Sequence, residues 1–417
     1  MIACIEALNY RCLRYVRQEV GSFQVLVGPN ASGKSTFLDV VAFIGDLLEH
    51  GLTKAVHDRS ADPRALTWMA RSDRFELAVE LIVPDELRAR VAHGNHQRAR
   101  YEVAVGLNGD GELAVLGENF WLKGGEDPRQ EQQALLFPDP PAPPEHIVLP
   151  EGRHSPRGWR KVVTKGAKGT DYFMSETSKW NNPFRLGPQK AALGGLPEDE
   201  QMFPVATWAR RMLIEGIQRL ALNSEAMRRA APPGTLRHFL PDGSNLPRVV
   251  KDLRDRSHEA FDRWIAHVQT ALPDLATVET ERRDEDRHSY LRLVYTTGLR
   301  APSWTVSDGT LRLLALTLLA YLGEPHRTYL IEEPENGIHP TAVETVIQAL
   351  SSAYDAQVLC ASHSPVVLSR TEPDQLLCFA RNEDGATDIR RGDLHPLLRD
   401  WQRGADLGTL FASGVLG

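Results

Sequence analysis

The segment Gly28-Pro-Asn-Ala-Ser-Gly33-Lys34-Ser35 fits the spacing G-x-x-x-x-G-K-[ST] at every fixed position. Residue types in this order suit a polyphosphate. Gly28 and Gly33 let backbone N–H groups turn inward on an anion, and a following helix N-terminus adds its own donors. Lys34 supplies a charge for the outer phosphates, and Ser35 offers a hydroxyl to a divalent cation. The expected contact set is Gly28, Pro29, Asn30, Ala31, Ser32, Gly33, Lys34, Ser35 and Thr36. Far downstream, Thr328-Tyr-Leu-Ile-Glu332-Glu333-Pro334 ends an apolar run in two carboxylates. One carboxylate can hold Mg²⁺ while the second orients and deprotonates an attacking water, and these tasks go to Glu332 and Glu333 respectively. Strand-end surface acids are the plainer alternative, weakened by the glycine-rich loop in the same chain.

Two further elements can face the same anion. Gln357-Val-Leu-Cys-Ala361 is apolar and ends at Ser362-His363-Ser364-Pro365, which sets His363 just past a buried strand, where it can reach a terminal phosphate or the water. Ser307-Asp308-Gly309-Thr310 precedes the apolar run Leu311 to Leu322. Ser307 is a good N-cap, and together with Gly309 and the free N–H groups of a helix start it makes an anion site. A simple cap before a core helix would have the same sequence.

The elements that position these residues are legible from periodicity. Phe23 to Val27 reads as a short buried strand, Thr36 onward as a helix stopped by Gly51, and Leu311 onward as a buried helix stopped by Gly323. Residues 75–122 alternate as an antiparallel sheet, with a turn at Asn108-Gly-Asp-Gly111. Residues 137–144 are a proline-rich loop. Thr207 to Ala230 reads as one long helix, and two shorter helices fall between Leu246 and Ala271. Residues 151–190 hold nine Lys or Arg against three Asp or Glu, with Trp159, Tyr172, Phe173 and Trp180 interleaved. That pattern suits a phosphate backbone with stacking groups, or a solvated loop with anchoring aromatics. The tail from Asp406 to Gly417 is apolar and glycine-rich, a packed end or a docking segment.

Composition sets the outer bounds. The chain has 417 residues, 42% hydrophobic and 25% charged, so it is globular and large enough for two or three domains or one domain with an insertion. The net charge of −7 excludes a dedicated basic nucleic-acid coat protein. Cys4, Cys12, Cys360 and Cys378 form no C-x-x-C pair and imply neither a zinc site nor a disulfide framework. The longest apolar run, Leu313 to Leu322, is about half of a bilayer span, and the start lacks the pattern of a signal peptide. A soluble, cytoplasmic protein with no membrane contact is expected.

In order and spacing, these motifs resemble the ATP-binding-cassette class of P-loop ATPases on its RecF, SMC and OLD side, closest to the bacterial AAA-family ATPases with an ABC-type head found in defence islands. Gly28 to Thr36 resembles that group's Walker A, Ser307-Asp-Gly-Thr its signature, Glu332-Glu-Pro-Glu-Asn-Gly-Ile-His-Pro340 its Walker B and D-loop, and Ser362-His-Ser-Pro its switch histidine. More weakly, Asn9-Tyr10-Arg11 is similar to a strand whose arginine, here Arg11, lies beside the nucleotide, and Pro241 to Pro247 is similar to a mid-chain element. The likeness covers roughly residues 1–90 and 235–380. It departs from transporter cassettes at Glu332, where they carry aspartate, and at Asp308, where they carry glycine, and no Q-loop glutamine is evident.

The resemblance implies an α/β fold, a P-loop NTPase with an ABC-type head and an inserted α+β region. Its parts would be an N-terminal lobe (1–94), an inserted β/loop and helical region (95–235), a C-terminal lobe (236–385) and a tail (386–417). It implies ATP and Mg²⁺ as cofactors and hydrolysis to ADP and phosphate. It also implies a homodimer or higher even assembly in which Ser307 of one chain meets the γ-phosphate held by Lys34 of the other. OLD-type relatives carry a TOPRIM nuclease after the head. With only about 35 residues beyond the last expected strand, a nuclease effector would come from another chain. Antiviral defence involving double-stranded DNA is the leading expectation. RecF-like repair and a slow ATP-locked scaffold are the alternatives, and a transporter cassette is disfavoured by the divergent signature and the large insertion.

Overall fold

The computed structural model describes residues 1–91, 96–124, 136–150, 155–166 and 169–398. The chain opens as a hairpin of β1 (Ile2–Tyr10) and β2 (Leu13–Glu19). β3 (Phe23–Val27), buried throughout and apolar apart from Gln24, enters the glycine-rich loop, and α1 (Lys34–His50) leaves it, with Gly51 at φ 83° closing the helix through an N–H bond to the Leu47 carbonyl. α2 (Leu52–His57) follows, then β4 (Arg74–Ile82), α3 (Asp85–Arg88), β5 (His96–Leu107) and β6 (Leu113–Gly124). The β5–β6 turn is fixed by the Asn108 side chain, whose Oδ1 accepts from the N–H groups of Asp110 and Glu112 at 3.0 and 2.9 Å. β7 (Trp159–Lys165), β8 (Asp171–Met174) and β9 (Asn181–Phe184) extend the sheet to the order β2-β1-β4-β5-β6-β7-β8-β9, antiparallel at every step.

The second half builds the central sheet and its cover. In chain order it contains α4 (Pro204–Arg211), β10 (Ile217–Leu220), α5 (Ser224–Arg228), α6 (Leu246–Arg256) and α7 (His258–Gln269). A small three-stranded sheet follows, of β11 (Leu275–Arg282), β12 (Ser289–Tyr295) and β13 (Arg300–Pro302), and then α8 (Asp308–Leu318). The remaining elements are β14 (Arg327–Glu332), α9 (Pro340–Ser351), β15 (Ala356–Ala361), α10 (Pro365–Ser369), β16 (Leu376–Arg381) and β17 (Thr387–Arg391). The central sheet runs β10-β14-β15-β3-β16-β17, parallel except for β17 at the edge.

Burial on both faces explains why these strands read as continuous apolar runs. Leu26, Leu330 and Leu359 point to the core that α1 shares with the eight-stranded sheet. Val25, Ile331 and Cys360 point the other way, to the core under α6, α7, α8 and α9. α1 is buried at Phe37, Val40, Val41, Phe43 and Ile44, so the helix that begins at the phosphate loop is fixed between two sheets.

Several expectations need correction. Thr207 to Ala230 is not one helix. α4 ends at Arg211, residues 212–216 form a π-type turn, and β10 follows, parallel to β14. Gly216 marks the break, since a Cβ there would stand 2.9 Å from the His326 carbonyl oxygen, and the strand is settled by pairing with a distant segment that local periodicity does not register. The basic region between 151 and 190 carries the strands β7, β8 and β9 in its described parts. Lys165 is buried against Asp171 at 2.8 Å and Phe173 is in the core, while Trp180 remains exposed. The eight-stranded sheet continues across the 94/95 division, because β4 and β5 pair along their lengths. Residues 387–391, placed in the tail, are the edge strand β17. The apolar tail from Asp406 to Gly417 lies outside the described residues. Among the described residues no helix is long and apolar enough to cross a membrane.

Candidate active site

The strand order decides what meets what. β14, β15 and β3 are adjacent and parallel, with Glu332 opposite Ala361 and Ala361 opposite Leu26. The loops that follow all three strands therefore open at one edge, the carboxyl edge where α/β sheets bind ligands. A cleft of ≈ 430 Å³ lies there, lined by Arg11, Cys12, the loop residues 30–36, Glu332, Glu333, Ala361, His363 and Arg381.

The phosphate loop has the backbone that its glycines foretell. Gly28 has φ 143° and Gly33 has φ 109°, and Ala31 joins them in the left-handed region at 62°. A Cβ on Gly28 would stand 2.2 Å from the Phe379 carbonyl oxygen, and one on Gly33 would stand 2.7 Å from Thr387 Oγ1. Both glycines are thus required by conformation and by contact. Lys34 is 6% exposed, and its ammonium donates to the carbonyls of Gly28 and Pro29, each at 2.8 Å. Burial lowers its pKa to about 8, against the opposing pull of Glu333 and Glu332. An ammonium held by two carbonyls in a partly dry cleft is poised to transfer to a phosphate.

Ser35 and Glu332 converge from α1 and β14. The Ser35 hydroxyl donates to Glu332 Oε2 at 2.5 Å, and Arg219 donates to Glu332 Oε1 at 2.6 Å. The donors here are oxygens only, one hydroxyl and one carboxylate, at the mouth of a phosphate loop. That set suits Mg²⁺, which keeps waters and phosphate oxygens in its shell and does not need an all-protein cage.

Glu333 adopts φ 51° and donates its backbone N–H to the Ala361 carbonyl at 2.8 Å, a left-handed position that turns its exposed side chain into the cleft. Strain of this sort at a strand end is characteristic of working sites. His363 also lines the cleft, and burial followed by the charge of Lys34 lowers its pKa, so its imidazole is neutral at pH 7. Glu335 braces both loops, accepting from the Ser362 hydroxyl at 2.7 Å and from the His363 N–H at 3.2 Å.

Arg11 stands at φ 50° in the β1–β2 turn on the cleft wall, 3.5 Å from the Asp39 carboxylate. That carboxylate also accepts from the Tyr10 hydroxyl at 2.6 Å and from Arg59 at 2.8 Å. Ser307 and Gly309 are not among the residues lining this cleft. Ser307 caps α8, accepting from the Thr310 N–H at 3.3 Å, and is exposed. Gly309 packs on the loop after β14, where a Cβ would stand 2.6 Å from the Gly337 carbonyl oxygen. Motif reasoning missed Arg219, Arg381 and Thr387. Thr387 donates to the Ser32 carbonyl at 2.9 Å, tying the phosphate loop to the edge strand. None of the three lies in a recognisable local pattern, and only topology brings them to the site.

Comparison with known proteins supplies a family and a fold. A family model described as "AAA domain, putative AbiEii toxin, Type IV TA system" matches residues 23–369. No curated protein matches the chain. Among solved structures, an Smc head bound to the C-terminal winged-helix domain of ScpA superposes with a TM-score of 0.55 at 12% identity, covering 93% of this chain and 97% of the other. An Smc head with an extended coiled coil, bound to the C-terminal domain of ScpA derived from Pyrococcus furiosus, gives 0.52 at 12% identity, covering 93% and 95%. At these identities the likeness establishes the fold, an α/β P-loop NTPase head.

Proposed function

Because the chain belongs to the AAA-domain family described with the AbiEii toxin, and has the fold of an ABC-type ATPase head, we propose that it is a Mg²⁺-dependent ATPase that dimerises around ATP and gates a separate effector. The observation that carries this reading is the meeting of Lys34, Ser35, Glu332, Glu333 and His363 in one cleft that Ser307 does not line. The phosphate loop wraps the ATP phosphates, and Lys34 exchanges its carbonyl partners for β- and γ-phosphate oxygens. Ser35 and Glu332 are the residues that would hold Mg²⁺, which when bound would supply charge neutralisation to the phosphates. Glu333 takes a proton from the attacking water as its oxygen bonds to the γ-phosphorus and the bond to the ADP oxygen breaks. His363 orients that water or the γ-phosphate. Arg11 lies beside the nucleotide.

A helix start that is exposed and lies away from its own chain's phosphate loop fits a surface that completes the partner's site. Ser307 and Gly309 of one copy would contact the ATP held by the other, and the ATP-dependent difference in head–head contact would drive the effector. A toxin of a type IV toxin–antitoxin system in the family description supports a role in defence. The Smc heads bound to ScpA support a protein partner. A nuclease acting on double-stranded DNA is the effector we favour.

Solution mass tests the sandwich. In the Glu333→Gln background, which should arrest hydrolysis, the mass is expected to double on adding Mg-ATP. Ser307→Arg in the same background should keep the mass of one copy while still binding nucleotide. A mass unaffected by ATP, or by Ser307→Arg, would remove the sandwich.

A further inference from the structure

Glu332 has a partner that no motif supplies. Its Oε2 accepts from Ser35 at 2.5 Å, and its Oε1 accepts from Arg219 at 2.6 Å. Arg219 comes from β10, the strand beside β14, where Leu220 stands opposite Ile331, one position before Glu332. The ion pair is part of the rim between two clefts. Glu332 and Glu333 line the phosphate-loop cleft, and both also line a second cleft of ≈ 610 Å³ together with Arg219 and Arg312.

Two other cations of these clefts, Lys34 and Arg312, are otherwise engaged. Lys34 gives its ammonium to the Gly28 and Pro29 carbonyls, and Arg312 gives its guanidinium to the carbonyls of Asn336 and Leu222, each at 3.2 Å. Among the described residues, Arg219 is the cation in direct ion-pair contact with the carboxylate assigned to the metal. A guanidinium at 2.6 Å from a carboxylate oxygen occupies space and lone pairs that a divalent cation and its shell would need. Two cations brought onto one carboxylate also repel each other.

We propose that Arg219 is a positioning residue that acts as an internal counter-ion. It holds Glu332 while the metal is absent, and it must swing away, into the second cleft that it already lines, when Mg²⁺ enters. This proposal rests on the ATP-site reading above. Its consequences have opposite signs for the two ligands. Without metal, Arg219 offsets the negative charge of Glu332 and so favours the polyphosphate. With metal, it competes for the carboxylate. The affinity of Mg²⁺ is therefore set by an exchange of cations.

The test uses the full chain as wild type, Arg219→Ala and Arg219→Lys, each checked for folding by thermal unfolding. Mn²⁺ binding is read by electron paramagnetic resonance in the presence of a non-hydrolysable ATP analogue, and binding of a fluorescent ATP analogue is read in EDTA. Exposed charge pairs set the scale. Arg219→Ala should bind Mn²⁺ about 5-fold more tightly and metal-free nucleotide about 5-fold more weakly, with Arg219→Lys close to wild type in both. A purely structural arginine would weaken both affinities together. If wild type binds nucleotide and Mn²⁺ but Arg219→Ala leaves Mn²⁺ affinity unchanged or lower, the counter-ion role is overturned and the ATP site stands. If wild type binds no nucleotide, the ATP-site reading falls and this proposal falls with it.

Discussion

Gly309→Ala perturbs the contact between the start of α8 and the loop after β14. A methyl at this position would stand 2.6 Å from the Gly337 carbonyl oxygen, against about 3.4 Å for ordinary contact, so the two backbones must part by ~0.8 Å. The same movement stretches the Arg312 hydrogen bond to the Asn336 carbonyl from 3.2 Å to beyond bonding range. Overpacking of this size costs about 1–3 kcal/mol of stability, which a well-packed head tolerates. Its effect on chemistry should be larger, because Glu332 and Glu333 sit at the root of the displaced loop and a misplacement near 1 Å costs a factor of about 10² in rate. The measurements are phosphate release from Mg-ATP, binding of a fluorescent ATP analogue and thermal unfolding. We expect unchanged nucleotide affinity in the single copy, whose own cleft Gly309 does not line, with turnover about 10- to 100-fold lower and a modest loss of thermal stability. Wild-type turnover in a folded Gly309→Ala variant would refute the idea that this contact fixes the catalytic loop.

Three further outcomes follow from particular groups. Lys34→Ala should weaken ATP binding by about 10- to 100-fold, the worth of a charged hydrogen-bond donor, and unchanged affinity in equilibrium binding would sink the phosphate-loop assignment. The Lys34 pKa of about 8 applies to the empty protein, and phosphates would keep the group charged. Wild-type affinity should accordingly fall by up to about tenfold per pH unit above pH 8, a slope that calorimetry reads and that Lys34→Ala should lack. Glu176 is buried at the start of α4, accepting from the N–H groups of Val205 and Ala206 at 2.8 and 2.7 Å, and burial raises its pKa to about 7. The folded state keeps this proton where the unfolded chain has released it, so the group's contribution to stability is greatest below about pH 4.5 and declines as pH rises to about 7, by about 3 kcal/mol in all. Thermal unfolding between pH 5 and pH 8 should show this decline, and Glu176→Gln should flatten it. An equal pH slope in the variant would contradict the assignment.

The phosphate loop, Glu332, Glu333 and His363 were legible because each closes a short apolar run, and residue type and spacing alone carry that information. β3, β14 and β15 each read as a buried strand, and it is their parallel pairing in the fold that sets their carboxyl ends on one edge. Arg219 was hidden by a misread element. Residues 207–230 have helical spacing, and only pairing with β14 makes 217–220 a strand. Thr387 and Arg381 were hidden for a related reason, because β16 and β17 reach the phosphate loop through the fold and not through neighbouring sequence. The polar interior of the eight-stranded sheet was equally invisible. Glu80 is 1% exposed and is met by Lys123 at 2.8 Å and Arg100 at 3.4 Å, three charges from separate strands. Alternation places them on one face without showing that the face is covered.

The central claim is that Glu333 activates water on an ATP held by Lys34. Phosphate release from Mg-ATP, compared between wild type and Glu333→Gln at matched nucleotide occupancy, tests it most directly. The account predicts turnover in the wild type, a loss of about 10²-fold or more in the variant, and retained ATP affinity. Equal rates in the two proteins, or loss of binding together with turnover, would contradict it.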